Sequence, residues 1–309
     1  MGVKSHTPIP PYSHTNMTPT TLSFYAMATR FELMLYGDDP TRLRAIGEEA
    51  LGEIERLDTQ LSLYRPDSEL SWINAHAAAE AVKVEPRLFK LLQRCIALTE
   101  QTNGAFDITV APLMQAWGFM GGTGKIPSQS EQEAAKAVVG IEHVHLDEEQ
   151  FTIRFDRREV RLDLGAVGKG YAAERAVDIL RENGITSALL HGGTSTICAI
   201  GTPPDQTAWR VAIRNPVDAD KHLEVIDLRD SSLSVSAVHG KSFTNGSQVF
   251  GHVIDPRTGQ ATKGALTAAV VGPCPTECDA LSTALLVLGK PGLALISERF
   301  PGYRGIVAV

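Results

Sequence analysis

Residues 162–170, Leu-Asp-Leu-Gly-Ala-Val-Gly-Lys-Gly, place a carboxylate, three glycines and a lysine side by side. The sequence predicts a strand ending at Asp163–Leu164, a loop, and a helix from about Tyr171 to Asn183. Glycines let a backbone approach a ligand closely, and a helix start offers unpaired N–H groups to an anion. Lys169 adds a cation where phosphates would sit. The segment fits neither the dinucleotide fingerprint nor the Walker A pattern. A nucleotide held here is held in another way, and an ordinary strand–loop–helix connection explains the same residues.

Asp279 and Thr283, four apart in Cys-Asp-Ala-Leu-Ser-Thr-Ala, share one face of an expected helix. With Ser282 beside them they offer the hard oxygens that Mg2+ prefers. Capping or hydration of the helix is the competing explanation for Asp279. His252 stands at the end of an expected strand, before Val253-Ile-Asp-Pro, and a histidine can act as a general base near neutral pH. It is one of nine histidines, most of which such a chain uses structurally or leaves exposed. His143 and His145 are expected on one solvated strand face. Phe106-Asp107 and Trp117-Gly118-Phe119 set aromatics near a carboxylate, which suits either a planar ring or a core. Tyr64 precedes a turn.

The elements that must carry these groups begin near Ser23. A strand runs to Tyr36, and Asp39 with Pro40 starts a helix whose Leu43, Ile46, Ala50, Ile54 and Leu57 form one apolar face. Pro86 opens a second helix, closed by Asn103-Gly104. Ser130 with Glu133 suggests a capping box for a short helix, and a hairpin is expected at Asp147–Gln150. Six strands then follow: 187–190, 196–200, 209–213, 223–228, 233–238 and 249–254. The Asp255–Gly259 turn, a strand at 268–271, helices at 277–288 and 291–299, and a strand at 305–309 complete the chain. Meandering strands with helices gathered separately predict an α+β domain rather than a doubly wound sheet.

The chain has 309 residues, 43% hydrophobic and 21% charged, with a net charge of −7. That is ample for a large core, and the acidic balance argues against a nucleic-acid surface. No apolar run reaches the length of a membrane span. Residues 1–22, rich in Thr, Pro, Ser and His, lack a signal's apolar core and read as a flexible tail before a single domain at 23–309. The chain as given therefore reads as cytoplasmic, and as periplasmic or cell-envelope if a signal was removed. Four cysteines make no disulfide framework. Cys95 and Cys198 are expected to be buried, and Cys274 and Cys278 to be structural.

Taken in order, these blocks resemble one family. They are Met27-Ala-Thr, Leu61-Ser-x-Tyr64-x-Pro-Asp-Ser-Glu-Leu70, Asn103-Gly-Ala-Phe-Asp107, Trp117-Gly-Phe119, Asp163-Leu-Gly-x-x-x-Lys169-Gly-Tyr171, Gly192-Gly193, His252-Val-Ile-Asp-Pro-Arg-Thr-Gly259 and Asp279-Ala-Leu-x-Thr283. From residue 24 to the C-terminus the chain resembles the FAD:protein FMN transferases, the ApbE-like flavin transferases. The resemblance implies a T-fold-like α+β architecture of mixed and antiparallel sheets. It implies Mg2+-dependent transfer of FMN from FAD to a Thr or Ser hydroxyl of an acceptor protein, with release of AMP.

By position, Met27, Tyr64, Ala105, Phe106, Asp107, Asp163, Lys169 and Val253 would line FAD. Ala166 through its carbonyl, Asp279 and Thr283 would hold Mg2+, with Ser282 where relatives can carry a further ligand, and His252 would be the base. A dianionic diphosphate needs a cation clamp and a weak alcohol nucleophile needs its proton removed, so the two readings agree. Three departures stand out. Ala28 and Thr194 occupy positions where relatives usually carry a glycine and an acidic or amide residue. Ser236-Ala-Val-His239-Gly240 replaces a Thr-Ser-Gly segment, and His239 either takes over a polar role there or fills space. Two rival activities fit the same site: hydrolysis of FAD to FMN and AMP, and flavin binding without catalysis.

Overall fold

The computed structural model describes residues 18–218, 220–238, 242–246 and 248–309. In chain order it opens with a hairpin, β1 (Thr20–Ala26) and β2 (Thr29–Leu35), so the first strand reaches three residues into the segment read as tail. Met27 and Ala28 form the connecting turn with φ of 50° and 57°. Helix α1 (Pro40–Leu61) starts as its sequence predicts, with Asp39 accepting hydrogen bonds from the N–H groups of Thr41 and Arg42. Helix α2 (Glu69–His76), capped by Ser68, was not expected. It is too short and too mixed in polarity to announce itself by periodicity.

A short β3 (Val82–Lys83), α3 (Pro86–Gln101), α4 (Ala111–Ala116) and α5 (Gln129–Lys136) follow. The capping box of α5 is formed by Ser128 and Glu131, two residues before the expected pair, because Ser128 is the residue that is extended. The hairpin β4 (Val144–Asp147) and β5 (Thr152–Phe155) lies where expected. His143 does not lie on it. A 3-10 turn over Ile141–His143 turns it inward, where its Nδ1 is 2.9 Å from Asp156 Oδ1, while His145 stays exposed.

Helix α6 (Gly168–Glu182) leads to β6 (Ala188–Gly192), β7 (Thr196–Ile200), β8 (Trp209–Arg214), β9 (His222–Leu228) and β10 (Ser232–Ala237). A small hairpin, β11 (Ser242–Asn245) and β12 (Gln248–Gly251), precedes β13 (Thr267–Gly272), α7 (Pro275–Leu288), α8 (Gly292–Arg299) and β14 (Arg304–Ala308). Only β11 among these strands went unpredicted, since Phe243 alone marks it as apolar. His239 and Gly240 lie outside the described residues.

Seven strands form the central sheet in the order β1-β2-β6-β7-β10-β13-β14. Among the described residues the strands of this sheet pair antiparallel, in keeping with the expected α+β architecture. The first and last strands belong to this one sheet. One face packs against the helices: Cys198, Ile200, Ala268 and Val270 join Leu43, Leu91, Val177, Leu281 and Leu285 in the main core. The alternate residues Ile197, Ala199, Leu233 and Ala269 meet Trp209, Ile213, Ile226 and Leu228 of the β8–β9 hairpin. This alternation is the period of a sheet covered on both faces. A third cluster, of Leu113, Trp117, Phe119, Phe250, Ile254 and Ala261, stands apart.

Candidate functional site

Sequence and structure part at the glycine-rich segment. Residues 160–164 form no strand. The buried Asn74 side chain serves Leu162 on both sides, donating to its carbonyl at 2.9 Å and accepting its N–H at 2.7 Å. Asp163 donates its N–H to Ile108 O, and its Oδ1 accepts the Gly165 N–H at 2.7 Å, closing a tight turn. Helix α6 then begins at Gly168, three residues early, so Gly168, Lys169 and Gly170 form its first turn instead of a loop.

No side chain of its own caps α6. The cap comes from α7: Asp279 Oδ2 accepts the Gly170 N–H at 2.9 Å. Gly170 is what permits this approach, because a Cβ there would lie 2.4 Å from the Pro275 carbonyl oxygen and 2.7 Å from Asp279 Cβ. Lys169 Nζ reaches within 4.0 Å of the same carboxylate. At that separation the gross attraction is about 4 kcal/mol at an effective dielectric of about 20. Burial nonetheless pushes the Asp279 carboxyl above the ordinary carboxylate range, against Lys169 and the Gly170 N–H. Its negative charge is under-compensated where it sits.

Asp279 and Thr283 share one face of α7 as predicted, and both open onto a cavity of about 530 Å³. Eleven of the thirteen residues singled out in the sequence line it: Tyr64, Ala105, Phe106, Asp107, Asp163, Ala166, Lys169, His252, Val253, Asp279 and Thr283. Met27 lines a neighbouring cavity of about 300 Å³ that shares Tyr64, Asp163 and Lys169 with the first. Ser282 lines neither of the two; it is fully buried, 2.8 Å from Ser236 Oγ.

Asp107 is nearly buried, and its Oδ1 accepts both the N–H and the hydroxyl of Thr109, at 2.8 and 2.6 Å. Burial still pushes its carboxyl up against those bonds. Tyr64 projects from the turn after α1, where Ser62 Oγ accepts the N–H groups of Tyr64 and Arg65. It is 66% exposed, so packing does not account for it.

His252 does not end a strand; β12 stops at Gly251 and His252 occupies the bend that follows. The third hydrophobic cluster holds that bend. Phe119 meets His252 edge-on with ring centroids 6.4 Å apart, and Trp117 Nε1 donates to Gly259 O at 2.8 Å across the Asp255–Gly259 turn. Val253 O accepts the Thr262 N–H, fixing the next residue.

Ser236, which opens the segment where the chain departs from its relatives, lines the cavity, and so does Ser195, which sequence reasoning missed. Ser195 is a small hydroxyl residue with no spacing signal, and the turn between β6 and β7 brings it there. Among the described residues no group of three His, Cys, Asp or Glu forms a metal cluster. A Mg2+ site does not require one, since that ion is often held by one or two carboxylates, waters and substrate phosphates. The Asp279 carboxylate, the Thr283 hydroxyl and the Ala166 carbonyl are all hard oxygen donors. The under-compensated charge on Asp279 makes this group a fit for a divalent cation.

Known proteins share this arrangement of chain. The FAD:protein FMN transferase of Vibrio cholerae is 32% identical over 251 residues, spanning 79% of this chain and 74% of that protein. The ApbE protein of Thermotoga maritima superposes with a TM-score of 0.85 at 26% identity, covering 94% of both chains. The apo flavinyl transferase ApbE of Pseudomonas stutzeri superposes with a TM-score of 0.80 at 27% identity, over 94% of this chain and 95% of that one. Residues 27–307 match the model of the ApbE family, nearly the whole folded length, and the chain belongs to that family.

Proposed function

We propose that this chain transfers FMN from FAD to the hydroxyl of a Thr or Ser in an acceptor protein, releasing AMP. One observation carries the reading. A buried, under-compensated carboxylate, Asp279, opens with Thr283 and Lys169 onto the same cavity as His252. A cation-binding corner and a base thus face one space. Membership of the ApbE family and the name of the Vibrio cholerae relative point the same way.

FAD is long, and two cavities meeting at Tyr64, Asp163 and Lys169 offer it an extended bed. The exposed Tyr64 supplies aromatic surface for its rings. Lys169 faces the diphosphate. His252 takes the proton of the acceptor hydroxyl, whose oxygen attacks the phosphorus on the flavin side. A new P–O bond forms as the bond from that phosphorus to the bridging oxygen of the diphosphate breaks, and AMP leaves with the bridging oxygen. Asp279, Thr283 and the Ala166 carbonyl would hold Mg2+, which when bound offsets charge on the diphosphate.

Incubation with FAD and Mg2+, with and without an acceptor, tests this. AMP that appears only with acceptor, together with flavin-labelled acceptor, is the expected result. AMP without acceptor would make the chain a hydrolase, and FAD bound but intact would make it a carrier. Asp279→Ala is expected to abolish Mg2+-dependent turnover while leaving a folded protein. Undiminished turnover in that variant would remove Asp279 from the cation site.

A further inference from the structure

Three hydroxyls meet where β10 passes α7. Ser236 Oγ lies 2.8 Å from Ser282 Oγ and 3.2 Å from Thr283 Oγ1. Ser282 Oγ donates to the Asp279 carbonyl at 2.9 Å, and Thr283 Oγ1 is 3.4 Å from the same carbonyl. Ser282 is fully buried, while Ser236 and Thr283 both line the large cavity.

A hydroxyl has one proton to give and two lone pairs to offer. Ser282 gives its proton to the 2.9 Å carbonyl, so toward Ser236 it can only accept. Ser236 gives its proton to Ser282 at 2.8 Å, so toward Thr283 it too can only accept. Thr283 then has a 3.2 Å acceptor in Ser236 and a poorer 3.4 Å one in a carbonyl already occupied by Ser282. The donors run in one direction, from Thr283 to Ser236 to Ser282 to the Asp279 carbonyl. Each bond polarises the next. With its proton directed at Ser236, Thr283 turns lone pairs toward the cavity. A cation can be held by a lone pair and is repelled by a proton.

We propose that Ser236 is a positioning residue: by accepting the Thr283 proton it makes Thr283 Oγ1 a donor oxygen for a divalent cation. The proposal rests on the reading of Asp279 and Thr283 given under Proposed function. Ser236 opens the Ser236–Gly240 segment, where the chain departs from the pattern of its relatives. That departure therefore does not strip the site of polar support. Without Ser236, the Thr283 proton has the long, shared carbonyl or the cavity itself.

The test uses the whole chain with FAD and a Mg2+ titration, read as the rise in melting temperature and, separately, as AMP release. Ser236→Ala is expected to raise the Mg2+ concentration at half-effect about ten-fold, the equivalent of one hydrogen bond of about 1.4 kcal/mol. FAD binding without Mg2+, read by flavin fluorescence, sets the FAD concentration that saturates each variant, so that Mg2+ requirements are compared at saturating FAD. Ser236→Thr, which keeps the hydroxyl, restores the wild-type requirement. An unchanged requirement in Ser236→Ala overturns the proposal, as does a folded Ser236→Thr that fails to restore it. Should Ser236→Ala not fold, Ser236→Cys, a weaker acceptor of similar size, is expected to give an intermediate requirement, and an unchanged one overturns the proposal. Asp279→Ala separates the two levels of inference. If it abolishes the Mg2+ response while Ser236→Ala does not alter it, Ser236 alone is misassigned. If wild type shows no Mg2+ response at all, the cation reading itself falls.

Discussion

Replacing Gly170 by alanine puts the packing at the head of the site to a quantitative test. In a helix the change by itself gains about 1 kcal/mol of propensity. The structure reverses that sign. The new Cβ would lie 2.4 Å from the Pro275 carbonyl oxygen and 2.7 Å from Asp279 Cβ, and neither is the free end of a flexible side chain. Helix α6 must move off α7, a form of overpacking that costs about 1–3 kcal/mol. The same movement stretches the 2.9 Å bond from the Gly170 N–H to Asp279 Oδ2. A hydrogen bond to a charged group contributes about 1.5–3 kcal/mol. After the gain in propensity, a net loss of about 1.5–5 kcal/mol remains. For a chain of 309 residues, whose unfolding entropy is about 0.65 kcal/mol/K, that lowers the melting temperature by roughly 2–8 °C. Gly52 is the internal control: it too lies in a helix, but a Cβ there meets nothing within 4 Å. Gly52→Ala is expected to stabilise by about 1 kcal/mol. Thermal and urea unfolding of the two variants beside wild type measure both effects. A Gly170→Ala protein that melts at or above wild type, with the same Mg2+ requirement, would refute the argument.

His252→Ala is expected to slow FMN transfer by about 10²–10⁴-fold with FAD affinity unchanged, measured by single-turnover labelling of the acceptor; transfer at the wild-type rate would make His252 structural. Ala28 holds a φ of 57° in a turn where a Cβ is strained, so Ala28→Gly is expected to stabilise by about 0.5–1 kcal/mol. A lower urea midpoint would contradict that. Burial pushes the Glu174 carboxyl up, but hydrogen bonds from Arg94, Cys274 and Thr276 outweigh it and hold it below its ordinary 4.5. Its contribution is therefore present above pH 4.5 and is lost as pH falls through the depressed folded value. Glu174→Gln is expected to cost about 2 kcal/mol at pH 7, with the gap to wild type closing below pH 4.5; a gap independent of pH would exclude the ionic account.

Much of this protein is written locally. Asp39-Pro40 starts α1, Thr196–Ile200 forms β7 at its predicted bounds, and Asp279 and Thr283 share a helix face because four residues make about one turn. The order of blocks from Met27 to Thr283 likewise pointed to the family from sequence alone, since each block is a short contiguous run. What the chain could not announce are the contacts between distant segments. Nothing near Gly168 shows where α6 begins, because its capping carboxylate arrives from Asp279, 109 residues away from Gly170. Asn74 replaces a missing strand beside Leu162, and Trp117 anchors the turn at Gly259, each across a separation no periodicity spans. The sequence marks Ser236 as the start of a departure from the pattern of the relatives, but only sheet register sets it against Ser282 and Thr283. Helix starts and faces follow from neighbours a few bonds apart. The charge balance of a buried carboxylate and the direction of a hydroxyl proton depend on groups that only folding brings within hydrogen-bond reach.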